Sequence, residues 1–114
     1  METKFIEELN DKIAFVKRLN EAIVGTNGIP VVDLTYHVFK NRYGSLEEYL
    51  LITYRGGAHA ARNCCGDSEA AIFDEVNHYL ISGAPREYFD GYAAYEYYLD
   101  MLIDSEPVEG ILTR

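Results

Sequence analysis

The chain has 114 residues, 48% of them apolar and 25% charged, the balance of one ordinary globular domain and not of a disordered segment. No apolar run approaches the roughly 20 residues needed to span a bilayer, and the charged start, Met1-Glu2-Thr3-Lys4-Phe5-Ile6-Glu7-Glu8, reads as neither a signal nor a transit peptide. The formal charge is −9 and lies entirely in residues 67–114, which hold eleven acids against Arg86 and Arg114, while residues 1–66 balance eight acids with eight bases; the second half therefore lacks the basic footprint of a nucleic-acid or anionic-membrane binder.

Residues 3–24 read as an amphipathic helix. Phe5, Ile6, Leu9, Ile13, Val16 and Ile23 recur at three- and four-residue steps, Thr3 can cap the start and Gly25 follows the end. Residues 26–30, Thr-Asn-Gly-Ile-Pro, mark a loop. Residues 31–40 read as a strand, with Val32, Leu34, Tyr36 and Val38 alternating on one face. A turn over 41–45 leads to a second strand over 48–55, with Leu50, Ile52 and Tyr54 on one face. Gly56-Gly57 reads as a two-residue hairpin turn, which sets Tyr54 opposite His59 and Ile52 opposite Ala61 on a third strand over 58–64. Ala58, Ala60 and Ala61 leave room there for a closely packed helix.

Gly66-Asp67-Ser68 opens the second helix, with Ile72, Phe73, Val76 and Leu80 as its buried stripe. Residues 82–85, Ser-Gly-Ala-Pro, end it and start a third helix over 85–103, with Tyr88, Phe89, Tyr92, Tyr95, Leu99 and Leu102 on its inner side. Residues 104–114 read as an extended or loosely docked tail. The expectation is one domain over residues 1–114, a two-layer α+β fold in the order α-β-β-β-α-α, its three-stranded antiparallel sheet covered on one face by helices. This order resembles that of double-stranded-RNA-binding domains, which touch phosphates with lysines at the start of the final helix. Here that place reads Asp67-Ser68-Glu69-Ala70-Ala71, which repels phosphate, so the function does not carry over.

Chemistry-bearing residues are few. Cys64 and Cys65 are adjacent, with Cα atoms about 3.8 Å apart, too close for an ordinary structural bridge; without a disulfide framework, a reducing, cytoplasmic setting is expected. Cys65 precedes a helix N-terminus, which can lower a thiol pKa. It shares strand parity with His59, yet roughly 20 Å of strand separates them, so a cysteine–histidine dyad needs a bend or His37. His37, His59 and His78 fall on three elements without metal-ligand spacing. A strand running into a helix N-terminus over 62–68 could hold an anion, but it lacks a phosphate-loop pattern and carries Asp67. The expectation is no catalytic residue, metal or cofactor, with a small cysteine-dependent enzyme or redox protein as the alternative.

The acids and tyrosines of the second half carry the functional reading. Glu96, Asp100 and Asp104 stack at four-residue steps on one helical face. Tyr97 and Tyr98 cannot both join the inner stripe, so at least one faces outward, as interface tyrosines do. Such a face steers the protein to a basic partner. In size and charge the chain resembles small acidic anti-CRISPR and anti-restriction proteins of phages and mobile elements. That resemblance implies carboxylates standing where DNA phosphates would sit: Asp74, Glu75, Glu87, Asp90, Glu96, Asp100 and Asp104, with Tyr97 or Tyr98 as anchors. The partner would be the basic nucleic-acid-binding surface of an effector protein, with no direct contact to nucleic acid or membrane. A structural, oligomer-forming domain using the open sheet edges is a further alternative.

Overall fold

A computed structural model describes residues 3–23, 28–81 and 85–112, with side chains described at all of these except 79–81 and 85–90. The order is α1 (Thr3–Ile23), β1 (Val31–Lys40), β2 (Leu46–Tyr54), β3 (His59–Asn63), α2 (Glu69–Ile81) and α3 (Pro85–Leu102). The strands form an antiparallel meander, β1-β2-β3, so the α+β class and the element order are as expected.

The helices divide between the two faces of the sheet, where one covered face was expected. Leu34, Tyr36, Val38, Leu50, Ile52 and Ala60 face one way and pack with Leu9 and Val16 of α1 and Ile72 and Val76 of α2. Phe39, Tyr49 and Ala61 face the other way and pack with Tyr98 and Met101 of α3. The reason lies in the strands. Thr35, His37, Phe39, Tyr49 and Leu51 alternate with the first core, so the second face is also rich in apolar and aromatic groups. A sheet face of that kind must be covered to be stable. The small side chain of Ala61 lets α3 approach β3 closely.

Three local features differ from the simple patterns. A bulge between Val31 and Asp33 shifts the pairing with β2, so Val31 takes the core position and Val32 is turned outward. The β2–β3 hairpin pairs Thr53 with His59, Ile52 with Ala60 and Leu51 with Ala61, one residue from the expected register. Tyr54 N–H donates to Ala58 C=O, so the loop is the three residues Arg55, Gly56 and Gly57, and only Gly57 takes a positive φ, 93°. On α3 the inner stripe runs through Tyr95, Tyr98, Met101 and Leu102, and Leu99 points outward. The expected inward positions Leu80, Tyr88 and Phe89 lie outside the described side chains.

The C-terminal segment is anchored at two points. Glu106 exchanges two backbone hydrogen bonds with Lys40, and Asn10 of α1 donates to Gly110 C=O and accepts from Leu112 N–H. Val108 and Ile111 pack against the first core.

Candidate functional site

The outward side of α3 gathers the exposed groups most suited to a contact. Glu96, Tyr97, Leu99, Asp100, Ile103 and Asp104 are all exposed, with Tyr97 at 55%, Leu99 at 45% and Ile103 at 56%. Helical geometry sets Glu96 and Asp100 together at an i,i+4 step, and Ile103 and Asp104 follow in the turn just beyond Leu102, where α3 ends. The helix exposes them because its opposite side is committed to Ala61, Tyr49 and Phe39. Tyr98 is only 6% exposed and belongs to that inner side, where its hydroxyl meets His37 Nδ1 at 2.9 Å. Of the two adjacent tyrosines, Tyr97 is the exposed one.

The carboxylate row on α3 is partly offset by a base from the first half. Arg42, in the turn after β1, donates from Nη1 to Asp100 C=O (2.7 Å) and sits 3.4 Å from Asp100 Oδ2 through Nη2. Tyr43 stacks under the same guanidinium at 4.7 Å and is 70% exposed. Glu96 and Asp104 make no salt bridge among the described residues. Asp104 lies just beyond α3 at a left-handed φ of 56°.

The other expected acids lie elsewhere. Asp74 and Glu75 are on α2, across the sheet from α3, so they do not share a face with Glu96, Asp100 and Asp104. Glu75 pairs with Arg62 of β3 at 3.4 Å. Glu87 and Asp90 lie outside the described side chains.

A second acidic surface was not legible in the chain order. Glu8 and Asp11 of α1 meet Asp67 and Glu69 at the start of α2 around an open cleft of about 320 Å³, with Lys12, Gly66 and Ser68. Its acids come from both halves of the sequence, so a count of charge along the chain separates them. Lys12, the base in this group, is turned inward to Glu48 at 3.2 Å. Glu48 is buried at 1% exposure and also accepts from Tyr36 Oη at 2.7 Å and Gly66 N–H at 3.4 Å.

The thiols are poorly placed for nucleophilic work. Burial pushes the Cys64 thiol up to about 12, with Asp67 and Glu75 adding to the rise. The Cys65 thiol is also raised, by partial burial and then by Glu48 and Glu47. The direction is opposite to the lowering that a helix N-terminus can give. Two of the three histidines are held by aromatic groups: His59 stacks on Tyr95 and bonds Thr53 Oγ1, and His37 packs on Phe39. Among the described residues no group of three or more His, Cys, Asp or Glu side chains could hold a metal ion, and no helix is long and apolar enough to cross a membrane.

No family model, curated protein or solved structure matches this chain.

Proposed function

We propose that the protein is a small acidic protein-binding module that docks the outward side of α3 on a basic surface of its partner. The observation that carries this reading is the interleaving of exposed Tyr97, Leu99 and Ile103 with Glu96, Asp100 and Asp104 over the last turns of α3 and the turn that follows it. Large apolar groups at the centre of a contact supply affinity, while flanking charges supply orientation and encounter rate. The charge of −9 favours a basic partner at long range. In its finer form the reading makes the partner a nucleic-acid-processing effector, as for anti-CRISPR or anti-restriction proteins. Glu96 and Asp100, about 6 Å apart along the helix, and Asp104 in the turn beyond it then stand in for phosphates, with Tyr97 as the anchor. The raised thiols support a role in binding over cysteine chemistry. Two unbridged cysteines support a reducing, cytoplasmic setting.

The test begins with affinity capture from host lysate at about 50 mM and about 500 mM salt, because screening weakens exposed charge contacts. The captured protein is identified, purified and titrated against Glu96→Lys/Asp104→Lys and Tyr97→Ala. The reading expects a basic partner lost at high salt and weakened by both variants. Binding insensitive to salt and to both variants removes it.

A further inference from the structure

β1 is an edge strand whose outer side is covered and, among the described residues, paired only at Lys40. Its odd-numbered residues bond to β2, so Leu34, Tyr36, Val38 and Lys40 turn their backbone N–H and C=O groups outward. Leu34 N–H donates to Asn20 Oδ1 at 2.8 Å, and Lys40 exchanges bonds of 2.9 and 2.8 Å with Glu106. Between these two fixed points, the outward backbone groups of Tyr36 and Val38 meet no partner among the described residues. Tyr36 and Val38 as whole residues are only 4% and 5% exposed. The cover is the C-terminal segment, which leaves clefts of about 210 Å³ and 270 Å³ against the strand, lined on its side by Pro107, Val108, Ile111 and Leu112. Among the described residues it does not continue the ladder beyond Glu106. Ile111 N–H folds back to Val108 C=O, Gly110 is left-handed, and Asn10 holds Gly110 and Leu112 toward α1.

We propose that this segment guards β1 and that a second copy of the chain pairs with the strand, edge to edge, when the segment is released. An antiparallel edge is complementary to itself. With a two-fold axis at His37, Tyr36 of one copy pairs with Val38 of the other, and Lys40 N–H meets Leu34 C=O, while Leu34 N–H stays with Asn20. The pairing stretch, residues 34–40, is Leu-Thr-Tyr-His-Val-Phe-Lys, rich in strand formers and carrying one charge. The stretch contains no acid, so two copies meet along it without like acids facing each other. Glu106 occupies the slot beside Lys40 that the second copy needs, so the intact cover and the pairing exclude each other. Unpaired edges are commonly protected by proline and charge, and Pro107 and Glu109 lie in the covering segment.

The experiment uses the full chain. Asn10→Ala with Glu106→Pro removes the hold of α1 and the backbone donor to Lys40. Light scattering is expected to give a monomer for the unaltered chain and twice that mass for the variant. Amide exchange at Tyr36 and Val38 should slow about tenfold as the variant is concentrated, since exchange reports local pairing. Adding Val38→Pro deletes one outward N–H while the bonds to β2, which belong to odd-numbered residues, remain; it should restore the monomer. Should circular dichroism show that the double variant does not fold, Asn10→Ala alone, which changes no buried core residue, takes its place. A released variant that stays monomeric when concentrated, or a dimer in which the Tyr36 and Val38 amides exchange as before, overturns the proposal.

Discussion

Lys12 Nζ lies 3.2 Å from Glu48 Oε1, and this contact ties α1 to β2 inside the first core. Glu48 faces the same side as Leu50 and Ile52, so its carboxylate is drawn among apolar groups by the strand's alternation. Removing one partner from a buried pair leaves an uncompensated charge and costs about 3–5 kcal/mol. Lys12 keeps 13% side-chain exposure, so water moderates the loss and the lower end applies. Lys12→Met should therefore destabilise the chain by about 3 kcal/mol in denaturant titration. Lys12→Met/Glu48→Met should recover most of that, because no charge is then stranded. A single variant as stable as the unaltered chain would show that Tyr36 and Gly66 suffice for Glu48.

Three buried acidic groups make the fold sensitive to alkali. The Cys64 thiol is pushed up to about 12 by burial, the Tyr49 hydroxyl to about 12 by burial and then Glu47, and the Tyr36 hydroxyl is raised by burial and by its bond to Glu48. A group whose pKa is higher folded than unfolded contributes stability below its unfolded pKa and loses it as pH climbs to the folded one. For Cys64 that window runs from 9.0 to about 12. The urea midpoint should hold steady from about pH 7 to about pH 8.5 and then fall by about pH 11. Iodoacetamide should label Cys65, which is exposed, and leave Cys64 until the chain unfolds.

The two hairpin glycines should separate cleanly. Gly57 has a φ of 93°, a conformation costing an L side chain about 1–2 kcal/mol, while Gly56 has none of that strain and open space around its Cα. Gly57→Ala should lower stability by about 1 kcal/mol and Gly56→Ala should be close to neutral. Equal costs would contradict the three-residue loop.

The hairpin shows where sequence reasoning stops. Two adjacent glycines name a turn, but loop length depends on which one turns left-handed, and a shift of one residue re-pairs every contact on β3. The same holds at Val31–Asp33, where a bulge moves the buried position from Val32 to Val31. The element order was legible because Leu9, Ile13 and Val16 on α1 and Leu50 and Ile52 on β2 carry clear periods. The second covered face was legible only in part: Phe39 and Tyr49 were visible as apolar, but their packing on Tyr98 is a tertiary fact. At the site, the exposure of one of two tyrosines followed from the width of a helical stripe. The salt bridges of Arg42 to Asp100 and Arg62 to Glu75 did not, since each joins residues far apart in the chain.

Tyr97 and Tyr98 are neighbours with opposite duties, and substitutions should tell them apart. Tyr98 packs against Phe39, Tyr49 and Tyr95 and bonds His37 through its hydroxyl. Tyr98→Ala opens a cavity in the second core and should cost about 3–5 kcal/mol, as large aromatic truncations do. Tyr98→Phe keeps the ring and gives up the bond to His37, a loss of about 1 kcal/mol. Tyr97 stands mostly in solvent, so Tyr97→Ala should change stability by no more than about 0.5 kcal/mol. Its effect should appear instead in affinity for the basic partner, where loss of a central aromatic anchor typically costs about 2 kcal/mol or more. Denaturant titration and partner titration on the same three variants therefore test the inner and outer sides of α3 separately. If Tyr97→Ala left affinity unchanged while Tyr98→Phe lowered it, the contact would lie nearer the His37 end of the sheet than on the exposed helix.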